Sequence, residues 1–192
     1  MRNSIAQEFI WLTAYVLLLV CHKNGMAGTI QKPDTLYPRI DAHIHLYDTR
    51  RQGSALFLDS VRQAKIYSPH LAKEFAAVGV PAGVGFAVVI EASQRREDNF
   101  WLMDLVDSSD QLIAFIANLD PRDPWYIKDL DSLTKSPKFR GIRIRPLRPL
   151  TLSDPQIIDK FGELEKRGLV LELGGSDLDT EVLKTIARRY PQ

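Results

Sequence analysis

The sequence predicts an α/β domain built on parallel strands, of the kind found in (β/α)8 barrels. Five short apolar segments alternate with segments that carry helix start signals or helical apolar spacing. Runs such as Val84–Ile90 are almost continuously apolar, which is typical of a parallel sheet covered on both faces. Polar residues gather where the strands end, and barrel active sites lie at that edge. The pattern therefore predicts an incomplete TIM-type barrel with about five of the eight strand–helix units.

The elements follow one another in regular alternation. The predicted strands are Arg39–His45, Gly83–Glu91, Gln111–Leu119, Arg140–Arg145 and Leu169–Leu173. The first predicted helix follows Ser68-Pro69. The others are Glu97–Val106, Trp125–Leu133, Ile157–Lys166 and Leu178–Arg189. A Ser or Asp followed by Pro is a common helix opening, because Pro lacks the N–H that the first turn leaves unpaired. No glycine-rich phosphate loop follows the first strand, which disfavours an open nucleotide-binding sheet.

Composition is that of one soluble globular domain. The chain has 192 residues, of which 45% are hydrophobic and 26% charged. A net charge of +1 without a basic cluster argues against nucleic acid as a partner, since phosphate binding needs a basic excess. Cys21 is the single cysteine, so a disulfide framework is excluded.

The first residues are predicted to be separate from the domain. Residues 1–27 contain an apolar run, Phe9–Cys21, which is too short for a comfortable membrane span but suits a signal peptide. Cleavage near Gly25-Met26-Ala27 would leave a linker over residues 28–38 and a domain over residues 39–192, with no stable membrane span. We expect an exported protein, or a cytoplasmic one if Met26 is the true start.

Two histidines at the end of the first predicted strand form the main candidate site. Apolar and polar residues alternate strictly along Ile40–Leu46, so His43 and His45 project from the same face. Two imidazoles placed together bind a divalent ion or act as an acid/base pair. Either role requires the pair to line a site rather than the solvent-exposed surface.

Further candidates lie at the ends of the other predicted strands. Arg143 and Arg145 share one strand face and suit a substrate carboxylate or carbonyl oxygen. Glu91 and Glu172 end the second and fifth predicted strands and are possible additional site residues. The alternative for the arginines is a structural ion pair with one of these glutamates.

Four segments together resemble the amidohydrolase superfamily, in its amidohydrolase-related (amidohydrolase 2) branch. They are Asp41–Asp48, Glu97–Leu105, Phe139–Arg143 and Ala187–Pro191, and the resemblance covers residues 39–192. This branch includes sugar-lactone and dicarboxylate-lactone hydrolases with a TIM barrel. The resemblance implies a hydrolase that opens a small lactone or related cyclic ester by attack of water, or a decarboxylase of the same superfamily.

The resemblance also implies roles for the candidate residues. His43 and His45 would be ligands of a divalent metal, with zinc the first choice, or substrate contacts in a metal-free site. Arg143 matches the Gly-x-Arg position of the family and would contact the substrate. The second histidine motif and the acid/base aspartate of the family would fall beyond Gln192, so the sequence predicts a truncated member, with an inactive remnant as a further alternative. Open barrel edges would then favour self-association.

Overall fold

A computed structural model of the chain describes residues 38–55, 57–144, 154–174 and 179–191. These residues belong to one compact unit, Pro33–Gln192. The predictions of a signal peptide over residues 1–27 and of a linker over most of residues 28–38 fall outside the described ranges. Within those ranges no helix is long and apolar enough to cross a membrane.

The predicted parallel sheet is confirmed. Its five strands are β1 (Arg39–Ile44), β2 (Val84–Ile90), β3 (Leu112–Ala117), β4 (Phe139–Ile144) and β5 (Val170–Leu173). They lie in the order β1-β2-β3-β4-β5, and every neighbouring pair is parallel. Sequential parallel strands joined by helical crossovers are the arrangement of a partial TIM barrel.

Five helices connect the strands that the structure describes, and a sixth follows β5. They are α1 (Ala72–Gly79), α2 (Arg96–Asp107), α3 (Tyr126–Leu133), α4 (Pro155–Lys160), α5 (Gly162–Glu165) and α6 (Thr180–Arg189), and a short 3₁₀ helix (Val80–Ala82) follows α1. The single helix predicted over residues 157–166 is instead two short ones that meet at Phe161, whose side chain is fully buried. Asp154 and Asp179 cap α4 and α6 by accepting backbone N–H bonds, as expected of helix N-caps.

The outer face of the sheet packs against the helices. Ala117 pairs with Ile142 and Val89 with Phe115, and all four are fully buried. The core they share with the helices also contains Leu102, Val106, Tyr126, Leu130 and Leu133. Burial of these apolar side chains is the main source of stability where the helices pack on the sheet. The opposite, inner face of the sheet is left for polar side chains.

β4 and β5 approach each other closely at Gly141. A Cβ atom added there would overlap the carbonyl oxygen of Val170 and lie 2.8 Å from the Val170 carbonyl carbon. Gly141 pairs with Val170 in the strand register, and Arg143 pairs with Glu172 two residues further on. The missing side chain at Gly141 therefore sets the spacing at which Arg143 and Glu172 meet.

The two outermost strands expose their edges. Among the described residues β1 pairs with β2 alone and β5 with β4 alone. Ile40 on β1 is 53% exposed. Val170 on β5 is likewise exposed. Self-association through these edges stays a prediction.

Candidate active site

His45 lies just past the end of β1 and is held by the main chain of β2. Its Nδ1 atom is 2.7 Å from the carbonyl oxygen of Ile90. A carbonyl oxygen can only accept, so Nδ1 carries a proton, and an uncharged ring with this bond has its lone pair on Nε2. This bond fixes both the tautomer and the ring orientation, as is usual for histidines that present Nε2 to a ligand.

His43 contacts both His45 and an arginine from β4. The two imidazole rings are 4.9 Å apart and nearly perpendicular. The Nε2 atom of His43 is 3.3 Å from Nη1 of Arg143. A guanidinium can only donate, so His43 accepts this bond through Nε2. The predicted pairing of the two histidines is therefore present, and Arg143 joins it.

Arg143 is also paired with Glu172. Its Nε atom lies 2.9 Å from Oε1 of Glu172, and the arginine is buried to 9% exposure while the glutamate side chain is 31% exposed. The two residues are direct neighbours in the β4–β5 register, so their side chains leave the sheet side by side. Glu172 thus supplies a negative charge to an arginine that is largely removed from water.

The contact between β1 and β4 shows that the sheet is curved. Three inter-strand steps separate these strands, which amounts to about 14 Å across a flat sheet. Side chains that stand roughly perpendicular to a flat sheet do not span that distance. The 3.3 Å separation of His43 and Arg143 therefore requires the inner face to be concave, as in a barrel wall.

Four of the candidate residues predicted from the sequence thus come together on the inner face: His43, His45, Arg143 and Glu172. Arg145 lies outside the described residues. Glu91 lies elsewhere: it follows β2 directly, and its charged neighbours are Asp98 on α2 and Arg51 in the segment after β1. Of the two glutamates proposed as partners of the arginine, the structure places Glu172 in that role.

Glu91 is a buried carboxyl with few compensating contacts. It is 3% exposed, its Oε1 accepts the Ser93 N–H, and its Oε2 has no hydrogen-bond partner in the described chain. Burial raises the pKa of this carboxyl to about 7. The hydrogen bond from the Ser93 N–H lowers the pKa in part, and the negative charge of Asp98 raises it further. Glu91 is therefore in a position to hold a proton near neutral pH.

Arg51 connects the segment after β1 to α2. Its Nη1 lies 3.0 Å from Oδ1 of the buried Asp98, and its guanidinium stacks 3.8 Å over the Trp101 ring. Sequence reasoning missed this cluster. Asp98 lies in the first turn of a helix, where an acidic residue is ordinary, so nothing in the sequence marked it as buried.

The donor set fits a divalent cation in part. His43 and His45 both carry their lone pairs on Nε2, the form that metals bind. Within the described ranges, however, no group of three or more His, Cys, Asp and Glu residues is arranged to hold a metal. A catalytic zinc normally has three protein ligands, and Arg143 already donates to Nε2 of His43.

A parallel half-barrel with polar side chains on a concave inner face places the chain among (β/α)8-barrel proteins. Residues 40–192 match the family model of the amidohydrolases, Amidohydro_2, and the chain belongs to that family. It is also similar to an L-fucono-1,5-lactonase from Burkholderia ambifaria, with 25% identity over 158 residues, or 80% of this chain and 53% of the lactonase.

Solved structures share the fold. An amidohydrolase from Burkholderia multivorans matches in two crystal forms, each at 16% identity over 80% of this chain. The first form has a TM-score of 0.62 and is covered over 54% of its chain. The second has a TM-score of 0.59, is covered over 53% of its chain and contains bound zinc. A 2,6-dihydroxybenzoate decarboxylase from Rhizobium matches with a TM-score of 0.54 at 14% identity, over 80% of this chain and 53% of that one. The chain thus spans about half the length of the proteins it matches.

Proposed function

We propose that this protein acts as a hydrolase that opens a lactone or a related cyclic ester by attack of water. The observation that carries the proposal is the placement of Arg143 between His43 and Glu172 on the inner face. The similarity to a lactonase supports the same substrate class.

The chemistry follows from the donors that the site presents. Attack of water on a lactone carbonyl places negative charge on the carbonyl oxygen, and a fixed, partly desolvated guanidinium stabilises that charge. Arg143 is held by Glu172 on one side and by His43 on the other, so little reorganisation is needed when the charge develops. His45, oriented by the Ile90 carbonyl, contributes an imidazole on the same face.

A lactone assay tests the proposal. We expect the purified chain to accelerate ring opening of L-fucono-1,5-lactone, followed as acid release with a pH indicator, above the rate in buffer. Arg143→Ala should lower kcat/KM by about 100-fold, a typical cost of losing one donor to the developing oxyanion. Arg189→Ala is the control and should leave kcat/KM unchanged. Arg189 lies on α6 and pairs with Asp159.

Decarboxylation is the competing reaction. A second assay with 2,6-dihydroxybenzoate distinguishes it, because decarboxylation releases carbon dioxide, measured as gas after acidification, whereas lactone opening releases only acid. Carbon dioxide release without lactone opening would contradict the proposal, and so would the absence of acceleration with either substrate.

We further propose that His43 and His45 bind a divalent metal, with zinc as the first candidate. Imidazole Nε2 atoms are suitable zinc donors, and the bound zinc of the structurally similar amidohydrolase supports the idea. Nε2 of His43 would exchange its hydrogen bond from Arg143 for the ion. When bound, such an ion would act as a Lewis acid toward a carbonyl oxygen and lower the pKa of a bound water. The alternative is a metal-free site in which both histidines contact the substrate.

Metal analysis of purified protein distinguishes these alternatives. Loss of a residue that only hydrogen-bonds to a metal ligand costs about 10- to 100-fold in metal affinity. We expect His43→Ala and His45→Ala, which remove the ligands themselves, each to lower zinc affinity by more than that. His70→Ala is the matched control, because the His70 ring contacts Ser68 and Tyr47 rather than the site. Equal metal content in all four proteins, measured by inductively coupled plasma spectrometry, would argue for the metal-free site.

A further inference from the structure

We infer that Glu172 determines substrate specificity by neutralising Arg143, so that the site selects a neutral ring ester over a substrate that carries its own carboxylate. The inference rests on the proposed function, because it concerns the substrate of the same site. It starts from the charges of one ion pair: Arg143 is positive and Glu172 is negative, and His43 accepts a hydrogen bond from the same guanidinium.

The position of Glu172 decides what an incoming anion meets. Its Oε1 is 2.9 Å from Nε of Arg143, so the cation that would attract a substrate carboxylate already has an acidic partner. A second carboxylate on the same guanidinium would lie close to the first. Like charges brought together in a partly buried site are costly, and such repulsion is a common device of specificity.

The geometry also makes this pairing persistent. Arg143 and Glu172 are direct neighbours in the β4–β5 register, and the close approach at Gly141 fixes the distance between their strands. The sheet therefore holds the backbones of Glu172 and Arg143 side by side, within reach of the ion pair. A neutral carbonyl oxygen has no such conflict, since it accepts hydrogen bonds from an arginine without adding charge.

Two water-stable probes with one ring test the inference. One is 2-piperidinone, a neutral ring amide with the shape of a 1,5-lactone, and the other is 6-oxopiperidine-2-carboxylate, the same ring with a carboxylate. Dissociation constants are measured by ligand-observed NMR. We expect the wild-type protein to prefer the neutral probe, and Glu172→Gln to shift the ratio of dissociation constants at least about tenfold toward the carboxylate, as gain of a charge-assisted hydrogen bond predicts.

Matched variants separate charge from structure. Glu172→Asp keeps the negative charge and should keep the wild-type preference, whereas Glu172→Ser is a second neutral variant should the Gln protein not fold. Glu181→Gln makes the same chemical change on α6, where Glu181 pairs with Lys184, and should leave the ratio unchanged.

The outcomes distinguish this inference from the proposed function. If both probes bind and the ratio is the same in the wild type and in the neutral variants, the specificity role of Glu172 is wrong while the lactone site stands. If neither probe binds to any folded variant, the proposed function fails and the inference fails with it.

Discussion

Gly141→Ala is expected to destabilise the protein by about 3 kcal/mol or more, at the upper end of the usual cost of overpacking. The new methyl group would overlap the Val170 carbonyl oxygen, which is backbone and cannot rotate away. β4 and β5 must separate to admit it, which weakens their pairing. For a chain of this size the corresponding fall in Tm is about 10 °C, measurable by thermal denaturation followed by circular dichroism.

Gly162→Ala is the control for this prediction. Gly162 opens α5, and a Cβ there would meet the Tyr190 ring at 3.4 Å, an ordinary contact. We expect a change of less than about 1 kcal/mol, since alanine is the better helix former. Equal melting temperatures for the wild type and Gly141→Ala would show that β4 and β5 are not as closely spaced as described.

Glu91→Gln is expected to stabilise the protein at alkaline pH. The pKa of Glu91 is raised from 4.5 to about 7 in the folded state, so the folded state holds a proton that the unfolded chain releases. Stability from this group is fully present below pH 4.5 and is lost as the pH rises through 7. A rise of this size in pKa corresponds to about 3 kcal/mol of unfolding free energy, which is lost when Glu91 ionises. Gln avoids this loss because it stays neutral.

Denaturant unfolding at several pH values measures this effect. The free energy of unfolding of Glu91→Gln, relative to the wild type, should increase between pH 4 and pH 8. Glu97→Gln is the matched control: Glu97 is an exposed neighbour on α2 that pairs with Arg95 at 3.7 Å, and its loss should leave the pH dependence as it is. A constant difference between Glu91→Gln and the wild type would mean that Glu91 is ionised in the folded protein.

The sheet was predictable from the sequence because its signals are local. Apolar runs such as Val84–Ile90 and Pro-containing helix starts reflect preferences that a few neighbouring residues decide. Boundaries were less accurate: the helix predicted over residues 157–166 divides at Phe161, whose ring turns into the core. Tertiary packing rather than local propensity decides such a break.

The candidate residues could be marked one by one in the sequence, but their arrangement in space could not. The alternation along β1 places His43 and His45 on one face, and this pairing is confirmed. The hydrogen bond from Arg143 to His43 depends on the curvature of four strands, which a pattern along one segment does not encode. The burial of Glu91 against Asp98 likewise depends on how α2 packs beside β2.

The hydrogen bond between His43 and Arg143 has a consequence for the order of folding. It joins residues 100 positions apart in the sequence, and they meet only when β1, β2, β3 and β4 are all in place. Long-range contacts of this kind carry a large loop-closure cost and form after local structure. The NMR resonance of the His43 imidazole would therefore report that the sheet from β1 to β4 has assembled, so this part of the site forms only after those four strands have paired.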